Sequence, residues 1–192
     1  MPEDDSVWRT ARLLDRGLAG RQPGAPGLRV PEHATANLAG RRVLGTDTHG
    51  KHLFTRFEGE ATLHTHLRMD GRWRILGQPS RRVSDPADQI RVLLEADHQQ
   101  VAVAVRVPVV ELLPTSAESA ITDRIGPDPL RRDWEVDEAV RRLGSDPTRP
   151  LAAALHDQRL LAGLDNLWVT NCSSCAVTIP GCPWGKPTRT GW

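Results

Sequence analysis

From Arg42 to Leu113 the apolar residues fall into short runs of period two, and this pattern limits the fold more than any other feature of the chain. The runs are Val43–Leu44, Lys51 to Phe57, Ala61 to Leu67, Arg72 to Leu76, Gln89 to Ala96, Val101 to Val107 and Val109 to Leu113. Gly50, Gly59 and Gly71 stand between runs with polar neighbours, as turns do. Several short strands in series predict an antiparallel sandwich. Ahead of the strands, Val7, Ala11, Leu14 and Leu18 recur at helical spacing behind the acids Asp4 and Asp5, with Gly17 and Gly20 as stops. This predicts an amphipathic helix over 4–17. After Pro114 helix formers dominate, with one helix expected over Val136–Leu143 and another over Leu151–Leu164, bounded by Pro150 and Gly163. The class is α+β, with a domain boundary expected within 114–130.

A chain of 192 residues has room for one domain or two small ones. Its hydrophobic share of 39% includes no apolar run near the ~20 residues of a membrane-spanning helix, so no membrane partner is expected. The acidic start Glu3-Asp4-Asp5 does not look like a secretory leader, and the expected location is the cytoplasm. Cysteine appears only as Cys172, Cys175 and Cys182, an odd number and no disulfide framework. A net charge of +1 neither demands nor excludes nucleic acid. With 23 Arg against 2 Lys, Lys51 stands out as a lysine in an arginine-rich chain.

Four places can carry chemistry. Removal of Met1 would leave Pro2 as a secondary amine at a helix N-terminus, where the dipole disfavours its protonated form, and Glu3 beside it can exchange protons. The same two residues also make an ordinary helix start. Lys51, behind Gly50, sits where a turn can aim a long cation into a cleft, or where an edge lysine merely blunts strand pairing. His64 and His66 share a strand face without a third ligand, which favours polar-face histidines over a metal site. Met69, between Arg68 and Asp70 ahead of Gly71, is either a wedge for a base stack or a loop methionine folded onto the core.

Taken in order, Pro2-Glu3, Gly50-Lys51-His52-Leu53, His66-Leu67-Arg68-Met69-Asp70-Gly71, Arg124-Ile125-Gly126-Pro127-Asp128 and Leu155-His156-Asp157-Gln158-Arg159-Leu160-Leu161-Ala162-Gly163-Leu164-Asp165-Asn166 resemble the formamidopyrimidine-DNA glycosylase and endonuclease VIII family. The resemblance spans residues 2 to 170. It implies an N-terminal helix with a two-layer antiparallel β-sandwich (2–114), then a truncated helix-two-turn-helix domain (115–170). It also implies a DNA glycosylase and AP lyase of base excision repair, a monomer acting on damaged double-stranded DNA. Under that resemblance Pro2 is the Schiff-base nucleophile, Glu3 its proton donor and Lys51 the proton donor of β-elimination. Arg68 and Met69 fill the gap left by the everted nucleotide, and Arg124 and Asn166 hold phosphates. The Trp8 and Lys51 segments look closer to the endonuclease VIII branch, which implies oxidised pyrimidines as substrates. A catalytically weak DNA-binding remnant is the alternative.

The family has glycine where Asp4 and Asp165 stand. Asp4 is expected to raise the amine pKa, and Asp165 to be strained if its φ is positive. The family's zinc finger has no counterpart, and Cys172-x-x-Cys175 lacks a fourth ligand, so no cofactor is expected. Asn166-Leu167-Trp168-Val169 follows the family, whereas Asn171-Cys172-Ser173-Ser174-Cys175 does not. Written in GC-rich codons with one extra A after Val169, the same bases read Val-Asn-Glu-Leu-Leu-Phe-Leu-Arg-Gly, a run with helical apolar spacing. The stretch 171–192 is therefore expected to be an aberrant, disordered tail produced by a one-nucleotide deletion. Without the helix it replaces, Leu151, Leu155 and Leu161 are expected to form a bare apolar stripe on a poorly stable protein.

Overall fold

The computed structural model describes residues 3–24, 27–30, 38–77, 83–96 and 100–174, with the side chains of all but 3, 4 and 171–174. Helix α1 (Glu3–Leu18) precedes eight strands: β1 (Gly27–Leu28), β2 (Val43–His49), β3 (His52–Phe57), β4 (Ala61–His66), β5 (Arg72–Gly77), β6 (Ile90–Ala96), β7 (Gln100–Val105) and β8 (Val109–Pro114). Four short helices follow, α2 (Ser119–Thr122), α3 (Val136–Leu143), α4 (Leu151–His156) and α5 (Asn166–Ser174).

The strands form two antiparallel four-stranded sheets, ordered β1-β6-β7-β5 and β2-β3-β4-β8. The predicted sandwich is therefore present. Its core lies where the inward halves of the period-two runs meet α1: Val7, Ala11, Leu14 and Leu18 bury the helix face against Leu53, Phe57, Leu63, Val92 and Leu94. Gly20, at φ +79°, turns the chain after the helix, a conformation that costs glycine no steric strain.

Helix α1 runs antiparallel to β2. The Gly20 amide donates to the Val43 carbonyl, and the Thr46 amide to the Asp15 carboxylate at 3.1 Å. Moving from Asp15 back to Glu3 travels about 18 Å along the helix, in the same direction as the about 13 Å from Thr46 to the Gly50 turn. The helix start and the β2–β3 turn therefore lie at the same end of the sandwich. The β3–β4 register, with His52 opposite His66, brings the loop after His66 to that end as well.

Two expectations about the second half need correction. The helix predicted over Leu151–Leu164 ends at His156. Asp157 breaks it: its carboxylate accepts the Arg159 amide at 3.0 Å, its own carbonyl takes the Leu160 and Leu161 amides, and Gly163 then turns at φ +91°. The apolar stripe is not bare. Leu155 and Leu161 are buried with Ala139 and Val169, flanked by Trp134, Leu143, Leu151 and Leu164, because α3 and α5 pack around α4. Helix α5 runs to Ser174, into the stretch expected to be tail, and 175–192 lie outside the described residues. Among the described residues no helix is long and apolar enough to cross a membrane.

Candidate active site

The end of the sandwich that gathers the α1 start, the β2–β3 turn and the loop after β4 is also where the helical unit docks. Gly50 makes the docking possible. It turns at φ +53°, and a side chain there would begin 3.2 Å from Ala162 Cβ and 3.3 Å from the Gly163 nitrogen. Its amide donates to Oδ2 of the buried Asp128 at 2.8 Å, while Oδ1 of the same carboxylate takes the Leu130 amide. His49 Nε2 donates to the Gly126 carbonyl at 2.9 Å, and Arg131 Nη1 to the Thr48 carbonyl at 2.8 Å. Gly126 and Pro127 lie directly on the 158–162 loop: the Gly126 amide donates to Gln158 O at 2.7 Å and the Ala162 amide to Pro127 O at 3.0 Å.

Lys51 follows Gly50 into this junction. Half-buried, it donates from Nζ to the Leu164 carbonyl at 3.2 Å. It is thus held against the segment that opens α5 and is not a fully solvated edge lysine. Asn166, which follows the helix expected over Leu151–Leu164, is exposed and is the first residue of α5. Asp165 precedes it: its Oδ1 accepts the Trp168 amide at 3.0 Å, capping the helix N-terminus. Asp165 is not among the residues of positive φ, so the anticipated strain is absent.

Met69 projects at the tip after β4 with 88% of its surface exposed, so it does not fold back onto the core. The tip is tightly wound. Arg68, exposed, takes φ +49° with its amide donating to His66 Nδ1 at 3.2 Å, and the Gly71 amide closes the turn onto Leu67 O at 3.0 Å. Arg124 is exposed in the turn after α2, one residue before Ile125, which lies beside Gly50. Pro2 lies outside the described residues, and for Glu3 and Asp4 the structure gives the backbone at the α1 start without the side chains.

The outer face of β3 and β4 carries two networks, and of their members the sequence reading had singled out only His64, as a polar-face histidine. Glu118 takes Arg56 Nη2 at 2.7 Å and Thr62 Oγ1 at 2.7 Å, clamping the sandwich to the segment before α2. Burial pushes the Glu118 carboxyl up, but its bonds from Arg56 and Thr62 outweigh this and hold it below the usual range. At the other end, His52 Nδ1 and His64 Nε2 share a 2.8 Å hydrogen bond, and His64 Nδ1 meets Glu111 at 2.9 Å. Burial, and then the neighbouring His66, His64 and His49, push the His52 pKa down to about 3. Among the described residues no group of three or more His, Cys, Asp or Glu could hold a metal ion. Cys175 and Cys182, and the side chain of Cys172, lie outside them.

Fold and site together define a class: an antiparallel sandwich with a leading helix, whose lysine-bearing turn is clamped to a C-terminal helical unit. The family model of the formamidopyrimidine-DNA glycosylase N-terminal domain matches residues 1–107. The probable endonuclease 8 2 of Streptomyces coelicolor is 43% identical over 186 residues, covering 97% of this chain and 67% of that protein. The DNA-(apurinic or apyrimidinic site) lyase Nei2 of Mycolicibacterium smegmatis is 36% identical over 185 residues, covering 96% and 71%. A crystal structure of Lactococcus lactis formamidopyrimidine-DNA glycosylase, bound non-covalently to DNA containing an abasic site, shares the fold at a TM-score of 0.70 and 22% identity, covering 86% of this chain and 65% of that one. The chain belongs to the formamidopyrimidine-DNA glycosylase family. It spans about two thirds of the length of these relatives.

Proposed function

We propose that this protein is a DNA glycosylase and AP lyase of base excision repair, acting as a monomer on damaged double-stranded DNA and preferring oxidised pyrimidines. The observation that carries the reading is convergence. The α1 start at Glu3, the Lys51 turn, the Arg68–Met69 tip and the opening of α5 at Asn166 all belong to one end of the sandwich, and in the sequence Pro2 directly precedes that helix start. The relatives named endonuclease 8 and AP lyase support it.

In this reading the Pro2 amine, freed once Met1 is removed, with its protonated form disfavoured by the α1 dipole and favoured by the neighbouring Asp4, attacks C1′ of the damaged nucleotide in its neutral form. The new N–C1′ bond forms as the glycosidic bond breaks, and the base leaves with a proton relayed through Glu3; the C1′–O4′ bond of the sugar then opens, O4′ taking the proton that the nitrogen gives up as its lone pair forms the iminium. The resulting iminium draws off the electrons released when C2′ loses its proton, and the C3′–O bond breaks, with Lys51 supplying a proton in that β-elimination. Met69 and Arg68 occupy the space vacated by the everted nucleotide, offsetting part of the unstacking cost of a few kcal/mol. Arg124 and Asn166 bind the flanking phosphates. Residues 2–114 form the catalytic domain and 115–170 the DNA-binding part of helix-two-turn-helix type. The chemistry runs on an amine and side chains and calls for no cofactor, and the protein works in the cytoplasm wherever DNA is accessible.

The test is cleavage of duplex DNA carrying either an oxidised pyrimidine or an abasic site. The reading expects β-elimination products from both, with Lys51→Ala slowing cleavage of the abasic substrate. Binding without any cleavage would instead favour a catalytically inert remnant.

A further inference from the structure

The Lys51 ammonium meets a backbone carbonyl, and one side chain fixes that carbonyl. Gln158 Nε2 donates to Leu164 O at 2.9 Å, alongside the 3.2 Å bond from Lys51 Nζ. Gln158 Oε1 accepts the Gly163 amide at 2.8 Å, beside a glycine at φ +91°. Its backbone carbonyl takes the Gly126 amide at 2.7 Å, and its Nε2 also lies 3.4 Å from His156 O. The half-buried Gln158 therefore ties the Ala162–Gly163 and Leu164–Asp165 peptide groups to one side-chain amide.

We infer that Gln158 is a positioning residue for Lys51, acting through the Leu164 carbonyl. This rests on the reading of Lys51 as the proton donor of β-elimination. A carbonyl oxygen has two acceptor sites. With one held by Gln158, the other faces the Lys51 ammonium. Only a side chain that donates and accepts on the same planar group satisfies both peptides. Leucine offers neither bond, and an ionised glutamate accepts from Gly163 but repels the Leu164 oxygen and draws the ammonium toward itself.

The experiment uses the whole chain on abasic-site duplex DNA in single turnover, with two readouts. Borohydride trapping follows imine formation at Pro2, and strand cleavage follows β-elimination. Gln158→Leu is expected to slow cleavage by roughly 10- to 100-fold, the scale of a misplaced catalytic group, while trapping changes by less than about 3-fold. Gln158→Glu is expected to be slow at neutral pH and to regain cleavage, relative to the parent chain, as the pH falls through about 4 and the carboxyl gains the donor it lacks. A loop that merely supports the fold would not produce that pH-dependent rescue. Equal loss of trapping and cleavage in Gln158→Leu, no loss of either, or no recovery of Gln158→Glu at low pH overturns the inference. Absence of any trapped adduct with the parent chain overturns the functional reading beneath it, a result distinct from the other three.

Discussion

Replacing Gly126 with alanine strikes the junction that places Lys51. A Cβ at this position would stand 2.5 Å from the Leu160 carbonyl carbon and 2.6 Å from its oxygen, against backbone that has no rotamer to change. Restoring an ordinary contact of about 3.4 Å requires the two segments to part by about 0.9 Å. That lengthens the 2.7 Å bond from Gly126 N to Gln158 O and the 3.0 Å bond from Ala162 N to Pro127 O beyond hydrogen-bonding range. Two lost bonds cost about 1–3 kcal/mol and overpacking is of similar size, so a net destabilisation of about 2–6 kcal/mol is expected. For a chain of this length that lowers Tm by about 4–24 °C. Strand cleavage of abasic DNA should fall with it at temperatures where the protein remains folded. Thermal unfolding followed by circular dichroism measures the first effect, and Gly24→Ala, where nothing lies within 4 Å, is the control. A Gly126→Ala protein that melts with the parent chain and cleaves at the parent rate would refute the reasoning.

The other predictions concern separate elements. His52 stays neutral down to about pH 3 whereas the unfolded side chain protonates near 6.5. Stability is therefore complete above pH 6.5 and lost as the pH falls toward 3, by about 1–2 kcal/mol at pH 5. Urea titrations at pH 7 and 5 should show that loss, and His52→Phe should remove most of it. Asp165→Ala deletes the α5 cap and should cost about 1 kcal/mol in the same titration, with Asp165→Asn close to neutral. Met69→Ala, at a side chain 88% exposed, should leave stability within about 0.5 kcal/mol while reducing excision of an oxidised base from duplex DNA.

What the sequence discloses depends on whether a signal is periodic or punctual. The strands and α1 are legible because half of each run must face a core, and α3 begins and ends where its charges place it, with Asp137 and Glu138 in the first turn and Arg141 and Arg142 in the last. The expected helix over Leu151–Leu164 fails because apolar spacing continues past Asp157, and nothing periodic records that this carboxylate takes the Arg159 amide and bonds Arg159 and Arg149 side chains instead. At the site, Lys51 and Met69 were visible as a cation and an apolar residue at turns. Gln158 was not, since its part depends on which carbonyl lies beside a lysine 107 positions earlier. A signal did exist for Asp165, whose aspartate directly before a helix is an ordinary N-cap. It was read as a departure from glycine and not as a cap.

The central claim is that the amine of Pro2 forms the covalent intermediate. It is tested most directly by borohydride trapping of the purified protein on abasic-site DNA, followed by peptide mapping of the adduct by mass spectrometry. The account predicts a DNA remnant on the N-terminal peptide, beginning at Pro2 with Met1 removed, and its near disappearance when Met1 is retained. A remnant on the peptide carrying Lys51, or an adduct that forms equally well with Met1 in place, would contradict it.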